Sequence, residues 1–235
     1  MSGVVVTQVP RAPLDLVDSL AGFGVATVHE AIGRTGLVGP CLRPIQEGVC
    51  IAGNAVTVLC WAGDNLMIHA AVEQCVAGDV LVVTTRSPCQ DGAFGELLAT
   101  SLMGRGVRGL VTTAGVRDVA ALRRMGFPVW AAAVSAQGTT KSTGGAVNVP
   151  VVVGGTVIEA GDVVVCDDDD VLCVPRGRVP EAVELARVRT DAESATRELL
   201  ARGELTVDLF GLRDALRRAG VEYRSSTYPG QYELT

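Results

Sequence analysis

Aromatic residues make up only 4% of this 235-residue chain, so smaller side chains must fill its core. Val, Ala and Leu are the available material, and 28 glycines allow many tight turns. No window holds about 18 consecutive apolar residues, so no membrane span is expected. The N-terminal segment lacks a cationic start followed by a long apolar stretch, so no signal peptide is expected and a cytoplasmic location is. Basic clusters are absent and the net charge is −6, which leaves no electrostatic footprint for nucleic acid. That mild acidity reads as solubility. Only two histidines occur, which excludes a metal site of several imidazoles. The seven cysteines, at 41, 50, 60, 75, 89, 166 and 173, form no C-x-x-C pair. They read as reduced thiols of a cytosolic protein rather than as zinc ligands.

Hydrophobic residues, at 48% against 20% charged, are enough for a sizeable core. Residues 13–34 carry helical spacing through Leu16, Leu20, Val28 and Ile32. Residues 48–60 are β-rich, 65–75 read as a helix with Asp64 as its N-cap, and 79–83 read as a buried strand. A helix over 96–103, a strand over 110–113, a helix over 118–125 and a strand over 129–133 follow. This βαβαβ alternation predicts a largely parallel sheet with helices packed on it, an α/β fold. After residue 145 the pattern changes to short strands at 147–153, 156–158, 162–165 and 171–174, separated by Gly or Asp turns. Pro180 and Gly203 bracket a long amphipathic helix, and a second is expected over 206–219. The polar, aromatic tail from Val221 reads as an arm. No repeat or linker stands out, so a single domain over 1–235 is expected, with the helices and tail from about 178 at a subunit interface.

Two motifs have plain explanations. Gly104 to Gly109 matches G-x-G-x-x-G, but it ends a helix and opens a strand, the reverse of the dinucleotide-binding context. A helix C-cap followed by a turn accounts for it. Asp167 to Asp170 sit between two short strands, where four consecutive carboxylates cannot converge, so a solvated hairpin turn is expected.

Arg117-Asp118 lies where a strand hands over to a helix, and ligands of open α/β sheets bind at carboxyl ends of strands. A carboxylate there suits a hard cation such as Mg²⁺, and the arginine can grip a carboxylate or oxyanion bidentately. The same pair also reads as a surface ion pair with an Asp helix start. Gly95-Glu96-Leu97-Leu98 opens a helix, and its free N–H groups make a second anion site. Asn65 and His69 share a helix face. His69 reads equally as a contact for a substrate carboxylate or as a packed side chain.

Three stretches, GELLATSLMGRGVRGLV at 95–111, AGVRDVAALRRMGFPVWA at 114–131 and AVSAQGTTKSTGGAVNVPV at 133–151, carry a resemblance. They resemble the 4-hydroxy-4-methyl-2-oxoglutarate / 4-carboxy-4-hydroxy-2-oxoadipate aldolases, which share their fold with the regulator of ribonuclease activity A. The resemblance runs from VHEAIGR at Val28 to about Arg176, and Glu96, Arg117 and Asp118 fill the family's acid–x₂₀–Arg–Asp signature. It implies an α/β/β/α sandwich of swivelling-domain type, assembled as a homotrimer or homohexamer. It implies a class II pyruvate aldolase, a lyase of aromatic-compound catabolism that cleaves a 4-hydroxy-2-oxo diacid or triacid and also decarboxylates oxaloacetate. In that scheme Asp118 ligates a divalent metal, Mg²⁺ first and Mn²⁺ or Co²⁺ next. Arg117 binds the pyruvyl oxygens, the backbone of Gly95 to Leu98 cradles the substrate carboxylate, and Glu96 orients water at the metal. Glu193 is the position for a glutamate that reaches a neighbouring subunit's site.

One departure stands out. The family's pattern has Asp four residues before the arginine, and this chain has Thr113. Its loss predicts weaker metal binding, a shifted substrate preference or a paralogous lyase acting on another oxo acid. It also fits a non-catalytic binding protein like the ribonuclease regulators. Lys141 offers a rival Schiff-base route, but its Gly/Thr-rich loop gives little of the desolvation that an activated lysine needs.

Overall fold

The structure, a computed structural model, describes residues 3–224. In chain order its elements are β1 (Val4–Val5), α1 (Leu14–Phe23), α2 (Val25–Ala31), β2 (Arg43–Pro44), β3 (Ile51–Cys60), α3 (Leu66–Val72) and β4 (Asp79–Thr85). Next come β5 (Gly92–Phe94), α4 (Glu96–Met103), β6 (Gly109–Val116), α5 (Val119–Met125) and β7 (Val129–Val134). The short strands are β8 (Ala146–Val147), β9 (Val151–Val153), β10 (Thr156–Ile158), β11 (Val163–Cys166) and β12 (Val171–Val174). Helices α6 (Val179–Ala201), α7 (Thr206–Leu209) and α8 (Arg213–Arg218) close the described chain.

Strands β3, β4, β6 and β7 pair in parallel in that order, as the alternation of strand and helix patterns predicted. Strands β8 and β11 pair antiparallel with the other edge of β3, and β12 continues from β11. Strands β9 and β10 form a separate hairpin.

The layers follow from side-chain alternation along these strands. On β4, Leu81 and Val83 join one core with Leu98, Leu102 and Leu122 of the helices α4 and α5. Val80 and Val82 face the other way, into a core shared with Trp130, Val151, Ile158, Val164 and Val171. On β11, Val163 and Val165 alternate out of that second core into a third, against Val17 and Leu20 of α1 and Val179 and Ala182 of α6. Three cores between four layers make the α/β/β/α sandwich. Being covered on both faces explains why β4 and β11 read as continuous apolar runs. The few aromatics sit deep, with Phe94 stacked on Phe127 at 5.8 Å in the first core.

The structure differs from the sequence reading at several breaks. The helical pattern of 13–34 is two helices, because Gly24 takes φ 79° between them. The strand read at 147–153 is divided at Asn148, which has φ 60°. The helix read over 206–219 is interrupted at Gly211, φ 63°. The arm read from Val221 lies, from residue 225 on, outside the described residues.

By contacts the chain forms two compact units, Met1–Thr190 and Asp191–Thr235. The first contains all three cores. In the second, no residue from 191 to 224 is buried, and ion pairs such as Arg213–Asp208 and Arg202–Glu198 lie on its surface. Among the described residues no helix is long and apolar enough to cross a membrane.

Candidate active site

Strand β6 ends at Val116, and Arg117 and Asp118 form the turn into α5. Asp118 adopts the left-handed conformation, φ 57° and ψ 34°, which is uncommon for a residue with a side chain. Such conformations persist where surrounding contacts hold them, and they cluster at functional sites. The carboxylate does not cap its own helix. Instead Oδ2 accepts a hydrogen bond from the backbone N–H of Glu96 at 3.1 Å, at the start of α4. Asp118 does start α5, its carbonyl accepting from the Ala121 and Leu122 N–H groups, but its side chain serves the neighbouring helix start. Arg117 Nε lies 3.9 Å from the same oxygen, and both side chains are about half exposed (46% and 45%).

Glycine makes this approach possible. A Cβ on Gly95 would sit 2.4 Å from Asp118 Oδ2 and 3.0 Å from Arg117 Cγ. The helix that begins there leaves the Leu97 and Leu98 N–H groups without an acceptor in their own helix. A pocket of about 120 Å³ is lined by Arg117, Asp118, Gly95, Leu97 and Leu98 on one side and by Asn65, His69 and Lys141 on the other. A second cavity of about 400 Å³ shares Arg117 and Asp118 and continues past Ser135. The pair thus stands between two spaces that together suit a small-molecule ligand.

Asn65 is buried, and its Nδ2 donates to the Ala93 carbonyl at 2.8 Å. Its Oδ1 is a buried acceptor with no donor. Such an atom costs free energy unless a ligand or water supplies the proton. His69 is held below its ordinary value, first by burial and then by the positive charge of Lys141, which favours the neutral imidazole.

The structure therefore brings Asn65, His69, Gly95, Leu97, Leu98, Arg117 and Asp118 together. Glu96 contributes its N–H, while its side chain is exposed and outside the lining of the pocket. Glu193 lies on α6, in the second unit. Thr113 is elsewhere: it lines another cavity with Thr84 and Thr85, and its Oγ1 faces the Thr85 N–H at 3.4 Å. Thr113 itself is not among the residues lining the Arg117–Asp118 pocket.

The Asp167–Asp170 run behaves as a turn. Asp167 accepts from Val25 N–H at 2.7 Å and Asp168 from Gly48 N–H at 2.8 Å, in different directions. Among the described residues no three His, Cys, Asp or Glu side chains cluster as a metal cage. The cysteines are free thiols, and burial raises Cys60 and Cys75 to about 12.

Lys141 lines the site, and Asp64 holds the loop that carries it. The sequence offers Lys141 only as a Schiff-base former and Asp64 only as a cap. Asp64 does bond the Leu66 N–H at 2.9 Å, at the start of α3. Its main partners, however, lie in the distant loop that carries Lys141.

The family model described as RraA-like, Aldolase/RraA, matches residues 16–173. The chain belongs to the Aldolase/RraA family. A Halalkalibacterium halodurans protein named "Putative 4-hydroxy-4-methyl-2-oxoglutarate aldolase" is 27% identical over 189 residues, 80% of this chain and 89% of its own. A Burkholderia multivorans protein of the same name is 35% identical over 157 residues, 66% of this chain and 95% of its own. Among solved structures, Streptomyces coelicolor RraAS2 superposes with TM-score 0.72 at 27% identity, covering 80% of this chain and 99% of that one. It is described as an unusual member of the RNase ES inhibitor RraA protein family. The Aldolase/RraA match confirms the family that the three sequence stretches pointed to, and the match to RraAS2 agrees with the layered α/β fold.

Proposed function

We propose that this protein is a divalent-metal-dependent pyruvate aldolase that cleaves a 4-hydroxy-2-oxo diacid or triacid, such as 4-carboxy-4-hydroxy-2-oxoadipate or 4-hydroxy-4-methyl-2-oxoglutarate. The observation that carries this reading is the Asp118 carboxylate, turned away from its own helix and held against the N-terminus of α4 beside Arg117. The names of the Halalkalibacterium and Burkholderia relatives support it.

Asp118 is the residue that would hold the cation. The Glu96 N–H and Arg117 Nε both approach Oδ2 rather than Oδ1. One carboxylate in a half-open pocket fits Mg²⁺, or Mn²⁺ or Co²⁺ in its place, because such ions keep several waters and take their remaining ligands from the substrate. When bound, the cation supplies Lewis-acid stabilisation to the oxo acid. Arg117 grips the pyruvyl oxygens, where negative charge develops as the C3–C4 bond breaks. The Leu97 and Leu98 N–H groups receive the substrate carboxylate at the positive end of α4. Glu96 contributes through its backbone N–H, which holds Asp118 Oδ2 in place. The C4 hydroxyl proton leaves through ordered water, and the pyruvate enolate is then protonated. The same stabilisation predicts oxaloacetate decarboxylation as a side activity. The assembly belongs to this proposal too: a homotrimer or homohexamer in which Glu193 serves a neighbouring subunit, read by light scattering.

A coupled lactate dehydrogenase assay over a panel of 4-hydroxy-2-oxo acids tests the reading. Chelator should abolish pyruvate release and Mg²⁺ should restore it. Full turnover in chelator would overturn the metal assignment, and activity on another oxo acid alone would make the protein a paralogous lyase. The description of RraAS2 favours a second reading, a non-catalytic partner of a ribonuclease. Capture of a purified ribonuclease with no turnover on the panel would reverse the order.

A further inference from the structure

The core between the two sheets changes character along three of its strands. On β4, Val80 and Val82 face that core, and Thr84 is next in the same row. On β6, Val111 is followed two residues later by Thr113, and on β7 Trp130 is followed by the small Ala132. Apolar bulk thus gives way to two threonines and an alanine, and a cavity of about 350 Å³ opens there. That volume lies near the lower end of the range for small-molecule pockets, roughly 300–1,000 Å³. Leu42 and Val152 extend its apolar wall.

The polar groups of this cavity are poorly paired within the protein. Thr84 is only 5% exposed, and its hydroxyl donates no closer than to the Thr85 carbonyl at 3.5 Å, beyond ordinary O–H···O length. The Thr85 and Thr113 hydroxyls donate to no acceptor among the described residues. Arg86, at the edge, lies over the Trp61 ring at 4.8 Å, which steadies its plane and leaves the N–H fork free. It pairs with no carboxylate among the described residues. No Asp or Glu lines the cavity, although the chain has 26 of them. Hydroxyl donors and a guanidinium without any carboxylate favour an anion and select against a cation.

We infer that this cavity is a second ligand site, which takes a small monocarboxylate with an apolar body. Arg86, with the threonine hydroxyls, takes the carboxylate, and the apolar body lies against Leu42, Ala132 and Val152. A ligand oxygen that accepts from Thr84 offsets the cost of burying that hydroxyl without a good partner. A dicarboxylate would leave its second charge against the apolar wall, and inorganic phosphate would leave that wall unfilled. The inference is independent of the aldolase reading, because neither Arg117 nor Asp118 lines this cavity.

Calorimetry on the intact protein tests this with cyclohexanecarboxylate as the probe and cyclohexanecarboxamide as its uncharged counterpart. The acid should bind roughly 10- to 100-fold more tightly than the amide, the range of one charge-assisted contact. Acetate, which lacks the apolar body, should bind at least about 10-fold more weakly than the probe. In Arg86→Gln the acid and the amide should bind within about 2-fold of each other. Thr113→Asp should weaken the acid at least about 10-fold, because a like charge then faces it. The exposed Arg86 decides the question if Thr113→Asp does not fold. Arg117→Ala should leave the binding of the acid unchanged. Cys41 is an exposed thiol in the lining, so the acid should slow its labelling by a thiol reagent and leave the exposed Cys50 as before. No binding of the acid at about 10 mM, equal binding of acid and amide to the wild type, or an unchanged ratio in Arg86→Gln would overturn the site. So would unchanged binding in a folded Thr113→Asp, or labelling of Cys41 that ignores the acid. Binding lost in Arg117→Ala and kept in Arg86→Gln would place the acid in the charged pocket and overturn the inference as well.

Discussion

Two cavities draw on strand β6 and the turn that follows it, and they are chemically unlike. One is charged: Arg117, Asp118 and Lys141 line it with a buried amide and an imidazole. The other, about 350 Å³, is lined by Thr84, Thr85 and Thr113 with Leu42, Ala132 and Val152, and Arg86 at its edge stacks over Trp61 at 4.8 Å. Strand β6 serves both. Its register with β7 shifts between Thr112 and Gly115, where Gly115 N–H bonds Asp91 at 3.1 Å. An irregularity of this kind re-aims the residues that follow it. Four positions of sequence therefore separate two different environments, and closeness along the chain to Arg117 does not place a residue in its pocket.

The largest effect should come from breaking the charged cavity. Arg117→Ala and Asp118→Ala should each lower kcat/KM at least about 100-fold, as removal of an oxyanion-stabilising group does. Thr113→Val should stay within about 2-fold, as for a substitution away from the site. Steady-state pyruvate release on the same substrate checks the contrast, and a loss at Thr113 as deep as at Asp118 would merge the two cavities. Next is Gly95→Ala, whose methyl would meet Asp118 Oδ2 at 2.4 Å. Displacing the carboxylate should cost roughly 10- to 100-fold in kcat/KM, with the melting temperature reporting separately on folding.

Smaller effects concern stability. Asp64→Asn leaves several loop donors poorly matched and should destabilise the protein by about 1–3 kcal/mol at pH 7. Burial opposes ionisation of Asp64, but its hydrogen-bond donors prevail and hold the carboxyl well below the usual range, which sets the sign with pH. The stabilisation is complete above the unfolded carboxyl range and is lost as pH falls through the folded value, so the two proteins should converge in acid. Urea titrations at several pH values measure this. The smallest effect is that of His69. Its value is lowered in the folded state, so between the folded and unfolded values the unfolded chain binds more protons and stability rises with pH. The melting temperature of wild type minus that of His69→Gln should therefore decline below pH 6.5, the ordinary histidine value. A flat difference would show that the imidazole is solvated.

Legibility differed between the two cavities for the same reason. The Arg117–Asp118 turn was readable because strand and helix patterns flank it locally. Strands β1, β2 and β5 were not, since two or three residues carry no periodicity and gain their hydrogen bonds only from distant partners. The break at Asn148 is not legible in sequence, because an Asn in the left-handed region leaves no mark beside Val147 and Val149.

Apolar periodicity and turn residues, both local properties, determined from sequence alone that this is an α/β chain with parallel βαβ units and a charged turn after one strand. Tertiary structure alone decided the rest. Asp64 meets Thr140 across 76 residues of chain, and Asp118 meets the Glu96 N–H across 22. Hydrogen bonds between such distant groups depend on the folded arrangement of layers, which no local pattern encodes. That arrangement carried Lys141 into the charged pocket and Thr113 into the other.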